Sequence, residues 1–156
     1  MKHFNDAAGR TWAIALNLGT AMQVKDTLGI DLLRPEDGNP PLLTRLGTDE
    51  MLLGEVLCAL LSSQFEKHKV AAADVWMAFD GATLLSAQTA FYEELADFFQ
   101  ARGRTDRAKA VRAQMQMILR ATAAIENRIA DMDLDAMIDG ALSGTWPDAS
   151  GSTPGT

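Results

Sequence analysis

From Leu42 to Trp146 the chain carries no proline, and the stretch is rich in Ala, Leu, Met, Gln, Glu and Arg, the residues that lose least on entering a helix. Proline inside a helix removes a backbone donor and clashes with the preceding turn, so its absence over most of the 156 residues points to a helical body. The segment just before, RPEDGNPP from Arg34 to Pro41, reads as a loop. Pro35 pushes Arg34 away from helical angles, and Asp37, Gly38, Asn39 and the Pro40-Pro41 pair leave no regular element there.

The chain begins differently. Between Thr11 and Asn17 the large apolar residues Trp12, Ile14 and Leu16 alternate with Thr11, Ala13 and Ala15, the period of a strand with one covered face. Asp6, Gly9 and Arg10 enclose a short AAG connection in which Gly9 can take a positive φ, which puts Phe4 on a preceding strand. A lone hairpin is marginal in water, so this one must pack on the helices or lend its edge to another chain. The expected fold class is therefore mainly α, with a small N-terminal β-hairpin over residues 4–17 and a bundle of three longer helices plus short ones.

After the hairpin, Ala21, Val24, Lys25 and Leu28 space as a short helix that Gly29 can end. Thr48 is placed to cap a helix running from Asp49 to about His68, with Leu53, Val56, Leu57, Leu60, Leu61 and Phe65 on one stripe. A short turn spans Ala73 to Phe79, and Asp80 can cap a second long helix through Leu84, Leu85, Phe91, Tyr92, Leu95, Phe98 and Phe99, closed by Gly103. Thr105 can cap a third, and Asp133 a short fourth with Met137, Ile138 and Leu142. Residues 1–143 then form one helical domain, and residues 144–156, rich in Gly, Ser, Thr and Pro, read as a flexible tail. Trp12 and Trp76 should be covered and Trp146 free.

A net charge of −7 disfavours a general nucleic-acid binder, since phosphate contacts need a concentrated positive field. Cys58 is the one cysteine, no run approaches a membrane span, and the opening residues lack the apolar segment of a signal peptide, so a soluble, intracellular protein is expected. Signs of an active site are sparse. His68, near a helix end, reads as an exposed imidazole at the negative end of the helix dipole, and Cys58 as a small buried hydrophobe. Asp131, Asp133 and Asp135 have the spacing that starts a calcium loop, but Ala136 stands where its sharp turn needs glycine and Leu142 where a glutamate should close the shell. Capping by Asp133 accounts for these acids better, and no metal, cofactor or catalytic residue is expected.

Two features ask for more. Arg102, Arg104, Arg107, Lys109 and Arg112 gather at the start of a helix, the end where positive charge is disfavoured. Pairing with Glu93, Glu94 and Asp97 is the ordinary explanation, and docking of an acidic partner is the functional one. Second, Val111, Met115, Ile118, Thr122, Ile125 and Ile129 are spaced alternately four and three apart, the seam of helix-on-helix packing. The chain also has eight methionines, with Met115, Met117, Met132 and Met137 in this region, and Met-rich surfaces adapt well to apolar helices. Candidate partner-binding residues are thus Met115, Met117, Ile118, Ile125, Ile129 and Met132, with Arg102, Arg104 and Arg107.

The order of parts, FNDAAGRTW with its alternating strand, then VKDTLGIDLL, then FYEELADFF, then a Ser/Thr/Gly/Pro tail, resembles the tail assembly chaperones of long-tailed bacteriophages and prophages. The likeness covers most of the chain and contains no catalytic or ligand motif. It implies a non-enzymatic protein in the cytoplasm of the bacterial host that binds the tape measure protein, keeps it soluble, and is displaced as tail tube protein polymerises. Such families often add a frameshifted longer product, and the tail here lacks the Gly-Lys or Lys-Lys pair that slippery codons commonly encode. A homo-oligomer stays open. The rival readings are a helical regulator of anti-sigma or antitoxin type, contacting its target by the strand edge and the basic cluster, and a small carboxylate metalloenzyme, for which Glu-x-x-His pairs are missing.

Overall fold

A computed structural model describes the backbone of residues 1–143, with the side chains of all of these except residues 126 and 133–143. The tail, Trp146, and the side chains of Met137, Ile138 and Leu142 lie outside the described residues. The fold is mainly helical with a two-stranded antiparallel sheet at its start. Strands β1 (Lys2–Asn5) and β2 (Thr11–Ile14) pair with Phe4 opposite Trp12 and His3 opposite Ala13. Gly9 turns the connection at φ +83°.

The hairpin packs on the helices. Phe4, Trp12 and Ile14 are buried, with Phe4 edge-on to Phe79 at 5.6 Å and Trp12 edge-on to Phe65 at 6.0 Å between ring centroids. The outer edge of β2 is also capped, because the Gln64 amide accepts from Ala13 N at 3.0 Å and donates to Ala13 O at 2.7 Å.

Helix α1 (Leu18–Leu28) starts at Asn17, whose side chain accepts from Thr20 N while the Thr20 hydroxyl oxygen accepts from Asn17 N, and it ends at Gly29 with φ +71°. The 34–41 segment is irregular, as expected, but a short helix, α2 (Leu42–Thr48), follows it directly. Thr48 is therefore the last residue of α2 and not a cap, and its hydroxyl donates to Thr44 O. Asp49 caps α3 (Glu50–Leu61) by accepting from Leu52 N at 3.1 Å. The expected continuous helix to His68 breaks after Leu61 into a 3-10 turn (Ser62–Gln64) and α4 (Phe65–His68). The break falls where Ser62 bonds back to Ala59 O and the Gln64 side chain is held by the hairpin, so short polar groups compete with the helical ladder.

Helix α5 (Ala72–Ala78) lays Trp76 across Gly54, where a Cβ would come within 2.8 Å of the indole ring. Glycine inside α3 is thus explained by close approach. Trp76 is still 44 % exposed, contrary to the cover expected for it, although the six-membered edge of its ring lies on Gly54. Helix α6 (Gly81–Ala101) is capped by Asp80 through Thr83 N at 2.9 Å, and it buries Ala87, Phe91, Tyr92, Leu95 and Phe99. Tyr92 and Gln88 on α6 donate to Leu43 O and Leu46 O, which ties down α2.

After Gly103, at φ +77°, helix α7 (Thr105–Ser143) runs without interruption. Thr105 lies inside its first turn, since Ala108 N bonds to Arg104 O and the cap position is Arg104. Asp133 lies within the backbone of α7 and starts no helix of its own, because between Gly103 and Gly140 no glycine or proline stops the third. The chain divides into two compact units, residues 1–116 and the segment from Met117 onward. The first contains the core just described, with Val24, Leu32, Leu46, Leu53, Leu57, Leu61, Ala108 and Val111 fully covered. No helix among the described residues is long and apolar enough to cross a membrane.

Candidate functional site

The four-three seam of α7 changes character along its length. In the first unit Ala108 and Val111 are fully buried and Met115 is 7 % exposed, so Met115 belongs to the core. In the second unit Ile118 and Thr122 are half-buried, whereas Ile125 is 57 %, Ile129 53 % and Met132 62 % exposed. At 100° per residue these five positions share one face of the helix, so Met132 extends the seam rather than standing beside it. Met117 and Leu119 flank the face on either side and are also exposed. The Thr122 hydroxyl donates to Ile118 O, which satisfies the seam's polar group within the helix. The result is an apolar stripe of branched and thioether side chains presented by a continuous helix.

The arginines are held differently from the expected pairing. Glu94 is buried and accepts from Leu16 N and from the Met1 ammonium, and Glu93 and Asp97 lie near Lys2. Of the basic cluster, Arg112 alone meets one of those acids, Asp97, at 3.8 Å. Arg104 makes a two-pronged pair with Asp106 at 3.0 and 2.8 Å, and this holds the Asp106 carboxyl well below the usual carboxylate range. Arg107 pairs with Glu36, donates to Leu33 O at 2.8 Å, and lies over the Phe99 ring at 5.6 Å. Glu36 sits in the proline-rich loop, seventy-one positions away in sequence, so no local pattern could have announced it. Arg102 is exposed and makes no ion pair among the described residues.

His68 is not the exposed imidazole expected. Its ring lies against Trp12 with centroids 4.4 Å apart and planes tilted by 51°, and Nε2 is buried without a hydrogen-bond partner. The neighbour comes from the hairpin, which brings Trp12 against the last residue of α4, a contact that a reading of the helix end alone does not contain. Cys58 is half-buried beside Trp76 and Leu28, and burial pushes its thiol above the ordinary value, away from the thiolate a nucleophile needs. Gln64 and Asp6 are the residues sequence reasoning missed. Gln64 has no motif around it and reaches Ala13 only because the hairpin is placed beside it, whereas Asp6 reads as a turn residue within FNDAAGRTW and its bond from Trp12 Nε1 depends on the hairpin register.

No family model, curated protein or solved structure matches this chain. Chemically, the exposed seam can bury an apolar helix, and the arginine cluster at the start of α7 can take acidic groups.

Proposed function

We propose that this protein is a tail assembly chaperone of a long-tailed bacteriophage or prophage, acting without catalysis in the host cytoplasm. It holds the tape measure protein soluble and gives it up as tail tube protein polymerises. The observation that supports this reading is the apolar seam of α7 beyond Gln116, in which Ile125, Ile129 and Met132 are more exposed than covered while remaining in helical register. A tape measure protein is a long, largely helical chain, and an apolar helix face pairs with it by knobs-into-holes contacts. Burying three such side chains stabilises by about 1.5–3 kcal/mol each before the cost of association is subtracted, which leaves a contact weak enough to be displaced. The net charge of −7 keeps the pair apart from other pairs in solution.

Co-expression with a tape measure protein of a long-tailed phage tests this reading. The parent chain should keep that protein in the soluble fraction and co-purify with it. Met117→Asp and Met132→Asp, both at exposed positions, should leave the thermal melt unchanged and return the client to the pellet. Folded variants that solubilise it as well as the parent does would contradict the assignment to α7, and co-purification of a polymerase subunit or a toxin would favour a regulator instead.

A further inference from the structure

Arg102 stands out in the first unit, an exposed cation on a chain of net charge −7 with no ion pair among the described residues. It borders a cleft of about 460 Å³ whose floor is Leu33, Phe98 and Phe99 and whose rim is Leu18, Arg102, Arg104 and Arg107. Leu18, the first residue of α1, is 64 % exposed there. No carboxylate lines this cleft. The acids that hold the other two arginines, Glu36 and Asp106, line a neighbouring cleft with Pro35 and Pro41, which shares Arg104 and Arg107 with this one. One donor of the lining, Arg107 Nε, is buried without a hydrogen-bond partner. An apolar floor ringed by guanidinium groups complements one kind of ligand, a large apolar side chain flanked by carboxylates.

We propose that this cleft binds a short acidic peptide segment of a partner protein, with an aromatic or aliphatic side chain seated on Phe98, Phe99 and Leu33 and a neighbouring carboxylate on Arg102. The remaining carboxylates of the segment compete with Glu36 and Asp106 for Arg107 and Arg104, and the positive end of the α7 dipole adds to the attraction. The cleft is built wholly from residues of the first unit and is independent of the α7 seam and of the tail-assembly reading.

The test is fluorescence anisotropy of a dye-labelled hexapeptide, Asp-Glu-Phe-Leu-Asp-Glu, titrated with the full chain at low ionic strength. A control peptide, Asn-Gln-Phe-Leu-Asn-Gln, keeps the apolar pair and removes the charge. The acidic peptide should bind saturably and weaken as salt is added, and the control should not saturate. Arg102→Glu should weaken binding about tenfold or more, as loss and reversal of one charge-assisted contact predicts. Leu18→Asp, at an exposed first-turn position where an acid suits the helix dipole, should also weaken it with the melt unchanged. Ile125→Asp should bind as the parent does, which separates this site from the α7 seam. The proposal is overturned if the acidic peptide fails to saturate, if the control binds equally well, or if folded Arg102→Glu and Leu18→Asp bind like the parent. A parent that sediments as a dimer and an Arg102→Glu variant that sediments as a monomer would assign the cleft to a second copy, which overturns it as well.

Discussion

At Asp6 one buried carboxylate accepts four hydrogen bonds: Ala8 N and Arg10 N on Oδ1, and Arg10 Nη1 and Trp12 Nε1 on Oδ2. Burial alone would raise its pKa, but the bonds from Trp12, Arg10 and Ala8 together bring it below the ordinary 3.8. A depressed folded-state value means a stabilising contribution that is complete above the ordinary value and is withdrawn as pH falls through the lower folded one. Asp6→Asn keeps the shape but puts an NH2 group against Trp12 or the backbone donors, so we expect a loss of about 2 kcal/mol at neutral pH. That loss should shrink as the pH drops from the ordinary carboxylate value, where the unfolded chain takes up its proton, through the lower folded one, below which the folded parent is protonated as well, and urea melts at several pH values measure both. Asp80 and Asp106, whose values are also lowered by hydrogen bonds, keep an acid limb in the variant's curve. In the sequence Asp6 looked like one turn residue among several. Its role depends on Trp12 lying across the hairpin from Phe4, and that register is a property of the folded pair.

Gln64 joins two elements that sequence patterns treat separately. Gln64→Ala leaves the outward N–H and C=O of Ala13 without their side-chain partner, and should cost about 1–2 kcal/mol while speeding amide exchange at Ala13 more than at Trp12. Helix α7 supplies a sharper contrast. Met115→Asp places a charge in the core and should lower stability by about 3 kcal/mol or more, whereas Ile125→Asp, in the same seam, should change the melt by no more than about 0.5 kcal/mol. Period two before Asn17 and period 3.6 after it are enough to read the hairpin, α1, α6 and the α7 seam, because those signals come from one covered face repeating. The break after Leu61 and the helix over Leu42–Thr48 were not legible. LLTRLGT follows two prolines and contains Gly47, and α2 is held by Tyr92 and Gln88 from a helix more than forty positions away. The missing fourth helix has the opposite cause: Asp133 is a good cap residue, but a cap ends nothing when no breaker precedes it.

Across the whole molecule, the seam has one spacing and two environments, covered as far as Met115 and exposed from Ile125. The spacing could be read from the sequence; where cover stops could not, because a heptad pattern is the same whether its partner is in the chain or outside it. The arginine partners were equally hidden, since Arg107 meets Glu36 through the fold and not through the neighbouring helix. The central claim is that α7 beyond Gln116 receives an apolar helical client. Hydrogen–deuterium exchange of the full chain, alone and co-purified with the tape measure protein, addresses it directly. The account predicts slower exchange on client binding for amides between Met117 and Met132, with the core amides of α3 and α6 unchanged. Unchanged exchange between Met117 and Met132 in a complex that nonetheless forms would contradict it.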